Sequence, residues 1–272
     1  MQWPIPPFPT KATALNAPNS EDVLESSSTA NTKGSWVTLG TTLTSAASWI
    51  NLACGPISST TGDRSILLDL AIGGAGSETI VLSNLVMGFR NYHNHLIPLH
   101  LPAGATLRGR ISCGLSGSNF VFTRTTAYHG EPDSGLTVPG RITTYGAVPA
   151  SSSGTTVTPS GTSNVMGSWA ELTSSTTAPI HALMVAVQSS STTIPSFREY
   201  LIDIGVGPSG QETVIVPHWK VAFNSPYVFP QSPELCPLSV SLPAGVRLSA
   251  RCLVVGSTNT TAVEAAVYGL TY

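Results

Sequence analysis

Four carboxylates in two matched pairs are the residues of this chain best placed for chemistry. Asp69 precedes Glu78 across a glycine-rich turn, and Asp203 precedes Glu212 across another turn at the same spacing. Glycosidases use two carboxylates a few ångströms apart to protonate and attack a glycosidic bond. Glycoside hydrolysis is therefore the enzymatic activity that these pairs would support.

An arginine follows each carboxylate pair and offers a second interpretation. Arg110 and Arg251 lie at the same distance beyond a Leu-Pro-Ala-Gly block. Each arginine either clamps a ligand or pairs with the aspartate of a neighbouring strand, in which case the glutamate only begins the strand after its turn. The structural interpretation is favoured, because an enzyme seldom needs identical sites in both halves and no histidine or nucleophile repeats with the acids.

The histidines of the first half raise the question of a metal site. His93 and His95 are two residues apart and would share one face of a strand, which is a spacing found among metal ligands. The comparable stretch of the second half, residues 233–236, has no histidine. A polar rim around this turn is the favoured alternative, and no metal or cofactor is predicted.

Other catalytic motifs are absent from the sequence. It contains no Gly-x-Ser-x-Gly elbow, P-loop or dinucleotide fingerprint. The glycine-rich residues 73–76 lie between two predicted strands rather than before a helix, so they do not form a phosphate cradle. We therefore predict that the protein is not an enzyme.

The elements that position these residues occur twice along the chain, in the same order. The matched blocks are Gly34-Ser35-Trp36 and Gly167-Ser168-Trp169, residues 68–81 and 202–215, residues 101–104 and 242–245, and the closing Tyr128 and Tyr268. Several ordered blocks with similar gaps indicate tandem copies of one domain. The predicted repeats are residues 34–130 and 167–272.

The periodicity of these blocks predicts an all-β fold. Apolar residues alternate with polar or small ones along residues 68–72 and again along 202–206, which is typical of half-buried strands. Further short strands are separated by Gly, Pro, Asn and Ser clusters. With about eight strands in each repeat, the prediction is two tandem antiparallel β-sandwich domains of the jelly-roll type, related by internal duplication.

Two segments lie outside the predicted repeats. Residues 1–33 are predicted to be an extended N-terminal arm, and residues 131–166 a linker rich in Ser, Thr, Gly and Pro. The proline-rich start carries three apolar side chains with no core of their own to enter, Trp3, Ile5 and Phe8. We predict that these residues dock on another subunit, since aromatic anchors dominate interface energetics. A disordered tail is the alternative.

Composition narrows the possible classes of protein. Of the 272 residues only 10% are charged, and the net charge is -2, so neither nucleic acid nor a membrane surface is an expected partner. No apolar run approaches the roughly 20 residues that span a bilayer, and the proline-rich start does not resemble a secretion signal. The four cysteines, Cys54, Cys113, Cys236 and Cys252, lack metal-site spacing. Cys113 and Cys252 stand at nearly equivalent places and are predicted to be buried apolar side chains of one strand, with disulfides as the alternative.

The repeated blocks resemble a known class of proteins. The aspartate-bearing strand, the Gly-x-Glu-Thr turn, the Leu-Pro-Ala-Gly block with its arginine strand and the late Tyr are similar to tandem β-sandwich structural proteins of tailed bacteriophages. The resemblance implies a non-enzymatic virion component, such as a minor capsid, decoration, collar or fibre-like protein, made in the host cytoplasm. Its expected partners are other virion subunits, including copies of itself.

Two alternative functions remain open. Jelly rolls also serve as lectins, so a carbohydrate- or receptor-binding module of the virion that contacts a host surface glycan is the first alternative. Aromatic residues that loops of the second half could present to such a ligand are Tyr145, Trp219, Phe223, Tyr227 and Phe229. A polysaccharide-degrading enzyme is the second alternative.

Overall fold

A computed structural model describes most of the chain. The described residues are 11–18, 20–55, 65–87, 93–129, 141–189, 198–224, 229–230 and 237–271. Within them the fold consists of β-strands and one short 3-10 helix, Pro149–Ser151. None of the described helices is long and apolar enough to cross a membrane.

The first half of the chain forms an antiparallel β-sandwich. One of its sheets has the order β1-β9-β4-β7, with β2 also pairing with β9, and the facing strands have the order β3-β8-β5-β6. If β1 and β2 are taken as one interrupted strand, this is jelly-roll connectivity. The strands are β1 Lys11–Ala14, β2 Asp22–Glu25, β3 Val37–Thr38, β4 Ala47–Cys54, β5 Ile66–Ile72, β6 Thr79–Met87, β7 His93–Leu101, β8 Leu107–Cys113 and β9 Phe120–His129.

The second half has the same connectivity, with two additional short strands. β10 and β12 pair with β20, followed by β14 and β18, while the facing sheet has the order β13-β19-β15-β16-β17. The strands are β10 Arg141–Tyr145, β11 Ala147–Val148, β12 Ser153–Val157, β13 Ala170–Thr173, β14 Ile180–Ser189, β15 Arg198–Val206, β16 Thr213–Asn224, β17 Phe229–Pro230, β18 Leu238–Leu242, β19 Leu248–Val254 and β20 Val263–Thr271. The predicted all-β, two-sandwich fold is therefore observed.

Strand β10 joins the two sandwiches into one body. It pairs antiparallel with β20 of its own sandwich and parallel with β6 of the first, where Ile142 lies opposite Leu82. The result is a ten-stranded sheet that runs through both halves. One buried apolar cluster accordingly includes residues of the first sandwich together with Met184 and Leu270, whereas a second cluster lies wholly in the second half.

The structure differs from the prediction in the two segments read as an arm and a linker. Residues 11–14 and 22–25 of the predicted arm form β1 and β2, and residues 141–157 of the predicted linker contain β10, β11 and β12. Both segments are polar in composition, but each contributes side chains to a core, and Leu24 and Val157 are fully buried. A strand that exposes one face needs only a few apolar residues, and such a pattern is easily mistaken for a loop.

The surface shared by the two sandwiches is apolar on both sides. Tyr268 is fully buried, and its hydroxyl oxygen accepts a hydrogen bond of 2.7 Å from the Val86 backbone N–H. Burial raises the pKa of this phenol, while the hydrogen bond from Val86 opposes the shift. Leu67 pairs with Val86 and is also buried. The equivalent pair in the second half is Leu201, which is half-buried, and Lys220, which is exposed. Each half is thus apolar where it meets the other and more polar where the equivalent surface faces solvent.

The two closing tyrosines, predicted to match, are not equivalent. Tyr128 pairs with Trp49. In the second half the residue equivalent to Trp49 is Ala182, because each pairs with the residue at the same position before its Leu-Pro-Ala-Gly block. Ala182 pairs with Leu270, so Tyr268 lies two residues before the position that corresponds to Tyr128. Both residues stay on the same strand face, which is why the sequence pattern alone matched them.

The described cysteines are buried. Cys113 and Cys252 have almost no exposed surface, as predicted, and Cys54 is buried as well. Cys54 and Cys252 are free thiols. Burial raises the pKa of Cys252 to about 12, which makes this thiol unreactive at neutral pH. Cys236 lies outside the described residues.

Candidate functional site

The carboxylate of Asp69 lies at the centre of a charged cluster on the first sandwich. Asp69 and Arg110 are directly opposite each other on β5 and β8, and Arg110 Nε donates to Asp69 Oδ2 at 2.9 Å. Lys33 Nζ lies 2.9 Å from Asp69 Oδ1, which also accepts a hydrogen bond from the Asn84 backbone N–H at 2.8 Å. With only 4% of its side chain exposed, the carboxylate has its oxygens engaged by three donors.

Local backbone geometry brings Asn84 to this carboxylate. The register between β5 and β6 shifts on either side of Leu70, and Asn84 adopts a positive φ of 54°. A bulge of this kind turns one backbone N–H out of the strand ladder. Here the Asp69 carboxylate accepts that N–H, so the aspartate stabilises a bend that the strand would otherwise resist.

A matching cluster surrounds Asp203 on the second sandwich. Arg251 lies opposite Asp203 in the strand register, and its Nε and Nη2 atoms donate to Asp203 Oδ2 at 3.0 and 2.9 Å. The backbone N–H of His218, with a positive φ of 52°, donates to Oδ1 at 2.9 Å. Met166 stands in the place of Lys33, and the exposed His218 ring lies with its Nδ1 atom 3.8 Å from Asp203 Oδ1.

An indole ring covers the arginine of each cluster. The guanidinium carbon of Arg110 lies 4.3 Å from the centre of the Trp36 ring, and that of Arg251 lies 4.5 Å from the centre of the Trp169 ring. Such cation–π contacts contribute about 0.5–2 kcal/mol each. The repeated Gly-Ser-Trp blocks therefore belong to the charged clusters, a role that sequence reasoning missed although the repetition itself was the signal.

The glycine of each block is required by space. A Cβ on Gly34 would lie 1.9 Å from the Glu25 carbonyl oxygen, and one on Gly167 would lie 2.1 Å from that of Thr158. Each glycine N–H donates to a backbone carbonyl of the strand that carries the arginine: Gly34 to Ile111 and Gly167 to Cys252, both at 2.8 Å. The close approach holds each tryptophan over its arginine.

The two glutamates are also engaged by arginines, but from positions that do not correspond. Glu78 Oε1 lies 3.0 Å from Arg108 Nη1, and Glu212 Oε1 lies 2.8 Å from Arg247 Nη1. Arg108 follows Leu107, whereas Arg247 precedes Leu248, the residue equivalent to Leu107. Since residues two apart on a strand share a face, the same ion pair forms from either position.

These contacts give each of the predicted carboxylates a partner inside the fold. All four form an ion pair with an arginine or lysine, so each can hold neighbouring parts of a sandwich together. The interpretation of the aspartates as partners of strand arginines is confirmed. Burial lowers the pKa of the Lys33 ammonium, and the adjacent Asp69 carboxylate opposes the shift.

The Glu212 ion pair makes stability depend on pH. Burial acts to raise the pKa of this carboxyl, but hydrogen bonds from Arg247 and from backbone N–H groups outweigh it and hold the pKa below its ordinary value of 4.5. A folded-state pKa below the unfolded one adds stability that is present above the unfolded pKa and is lost as pH falls through the folded pKa.

We expect Glu212→Gln to flatten the dependence of the free energy of unfolding on pH below 4.5, measured by urea titration. An unchanged slope would contradict this prediction, and Glu171→Gln, which removes the more exposed partner of Arg247, is the control.

The remaining predicted site residues fall partly outside the described chain. Among the described residues no group of three or more His, Cys, Asp or Glu side chains is placed to hold a metal ion. His95 is buried on β7, and the side chain of His93 is not among those described. The predicted interface residues Trp3, Ile5 and Phe8 lie outside the described residues, so their docking stays a prediction.

Comparison with known proteins finds likeness in structure only. No family model matches the sequence, and no curated protein matches it. One similar solved structure is that of the STIV MCP, a viral major capsid protein, which is 13% identical in sequence to this chain. The alignment covers 92% of this chain and 98% of the STIV MCP chain, with a TM-score of 0.35.

Two further solved structures show weaker or comparable likeness. The tandem CBM22-1–CBM22-2 domain of Xyn10C from Paenibacillus barcinonensis is 9% identical, covers 97% of this chain and 94% of its own, and has a TM-score of 0.28. PNGF-II is 9% identical, covers 98% of this chain and 65% of its own, and has a TM-score of 0.36. Likeness at these values carries no weight for function, which must be derived from the residues of this chain.

Proposed function

We propose that this chain is a non-enzymatic structural protein of a bacteriophage virion, acting as a minor capsid, decoration, collar or fibre-like component. The observation that carries the proposal is the use of the repeated charged and aromatic residues inside the fold. Asp69 and Asp203 brace bulged strands, Trp36 and Trp169 cover their arginines, and the ten-stranded sheet makes one body of both sandwiches. Motifs repeated for architecture rather than for chemistry are what a building block requires.

The surface of the protein supports a role in assembly. With 10% charged residues and a net charge of -2, its self-repulsion is weak, and neighbouring copies can approach without a large electrostatic penalty. The resemblance of the repeated blocks to tandem sandwich proteins of tailed bacteriophages points to the same setting. We propose that the partners are other virion subunits and further copies of this chain, and that the protein is made in the host cytoplasm.

Mass spectrometry of purified particles tests this proposal directly. A structural component is expected to co-purify with the particles at a fixed ratio to the major shell protein, and to remain after washing at high salt. A host or replication protein would vary in ratio between preparations or be removed by the wash. Absence of the chain from washed particles would overturn the proposal.

Deletion of residues 1–10 tests the role of the N-terminal segment. The deletion ends just before β1, so no described strand is shortened and the melting temperature of the isolated protein is expected to change little. Burial of two aromatic rings on a partner contributes several kcal/mol at about 25 cal/mol per Å² before the ordering cost of the segment. We therefore expect reduced incorporation of the truncated chain into particles, measured against the full chain in the same infection.

A second variant replaces Trp3 and Phe8 by Ser in the full-length chain. It keeps the length of the segment but removes its anchors, so it should lower incorporation as the deletion does. Incorporation of both variants at the wild-type level would show that the anchor lies elsewhere on the sandwiches.

A further inference from the structure

The second sandwich carries an open groove that lies apart from the contact between the two sandwiches. It lies where the chain leaves β12, loops through residues 158–168 and enters β13, and it has a volume of about 470 Å³. This size lies within the range of small-molecule sites. Its main lining side chains are those of Thr156, Thr158, Ser160, Met166, Ser168 and Trp169.

The walls of this groove are held in place by contacts beneath them. Gly167 fits against the Thr158 carbonyl and donates its N–H to Cys252, which ties the two sides of the loop to each other and to β19. The Trp169 ring rests against Gly205, where a Cβ would lie 2.7 Å from the ring, and beside Arg251. A preformed groove loses little conformational freedom on binding, which favours affinity.

The chemistry of the lining is neutral and rich in hydroxyls. Thr156, Thr158 and Ser168 are exposed, and, among the residues that the structure describes, no charged side chain lines the groove. The first sandwich is different at the equivalent places, where Lys33 replaces Met166 and Glu25 replaces Thr158. The neutral character is therefore particular to the second sandwich.

We propose that this groove binds an uncharged carbohydrate. Its threonine and serine hydroxyls can donate to and accept from sugar hydroxyls, while Met166 and the indole of Trp169 present apolar surface to the C–H groups of a pyranose ring. A phosphate or carboxylate would lose its hydration without gaining a counter-charge from the lining, so charged ligands are disfavoured. The binding site goes beyond the structural role proposed above, which requires no ligand.

The first sandwich supplies the variant that tests the proposal. Lys33 reaches both Asp69 Oδ1 and the Leu67 carbonyl oxygen, each at 2.9 Å. In Met166→Lys the new side chain is expected to reach Asp203 in the same way, so the apolar Met166 wall of the groove is lost and a cation takes its place while the fold is kept. Val165→Lys is the matched control, because Val165 is 47% exposed, adjacent in sequence and not part of the lining.

The experiment measures binding of uncharged trisaccharides of glucose, galactose and N-acetylglucosamine to the full chain by ligand-observed NMR, with sialylated and sulfated trisaccharides alongside. We expect at least one uncharged probe to bind the wild type and Val165→Lys equally, and Met166→Lys to bind it at least about tenfold more weakly. Circular dichroism checks that both variants are folded.

Three results would overturn the proposal. They are no binding of any uncharged probe at about 10 mM, tighter binding of a charged probe, or equal binding by folded Met166→Lys. None of these results bears on particle incorporation, so failure of the groove and failure of the structural role are distinguishable.

Discussion

Replacing Asp69 by alanine is expected to lower the free energy of unfolding by about 3 kcal/mol, because it leaves the cations of a buried ion pair without their counter-charge. Lys33 and Arg110 keep 19% and 28% of their side chains exposed, so water compensates them in part and the cost falls at the low end of the range for buried pairs. The Asn84 N–H also loses its acceptor. Urea denaturation monitored by tryptophan fluorescence measures the change.

The equivalent substitution on the second sandwich provides an internal comparison. Asp203→Ala removes the acceptor of Arg251 and of the His218 N–H, and a loss of similar size is expected. Glu199→Ala is the control, since Glu199 pairs with Lys220 at 2.9 Å but the two side chains are 29% and 58% exposed. Exposed pairs contribute about 0–1 kcal/mol. An Asp69→Ala protein no less stable than Glu199→Ala would show that the cluster does not brace the bulge.

The second large effect is expected from a single methyl group. Gly34→Ala places a Cβ 1.9 Å from the Glu25 carbonyl oxygen, a distance at which the backbone must move. Moving it separates the chain from β8, to which the Gly34 N–H is bonded, and lifts Trp36 from Arg110. We expect a loss of at least about 3 kcal/mol in the free energy of unfolding, measured by urea denaturation, with Gly167→Ala behaving alike.

Gly161→Ala is the matched control for this prediction. The nearest atom to its added Cβ is the Thr260 methyl carbon at 3.7 Å, which is an ordinary van der Waals contact. Its stability should differ from wild type by less than about 0.5 kcal/mol. If Gly34→Ala and Gly161→Ala unfold at the same urea concentration, the close approach at Gly34 does not constrain the fold.

The sequence predicted the strands whose pattern is local. The alternation of residues 68–72 and 202–206 predicted β5 and β15, and clusters of Gly, Pro, Asn and Ser predicted the breaks between strands. At two of these breaks Gly104 and Gly245 adopt φ values of 80° and 85°. These features depend on residues close together in the chain, so they can be read from it directly. The pairing of Asp69 with Arg110 was also predicted, because the same two residue types recur at matched places in both halves.

The candidate site was predicted less completely. Lys33 lies in the segment taken for an arm, and nothing near it in the sequence points to Asp69. The covering of each arginine by a tryptophan was also missed. Both contacts form across strands far apart in the chain, and only the arrangement of the sheets brings them together.

What the sequence determined by itself is the all-β character, the repeated turns and the repeated aspartate and arginine, since each follows from local periodicity and spacing. What only the tertiary structure decided is that strands form within residues 11–25 and 141–157, and that β10 joins the two sandwiches. The physical reason is that a polar strand gains its stability from the strand it pairs with and the core it covers. Ile142 is buried because Leu82 and Leu270 lie beside it, a fact that no property of its own segment contains.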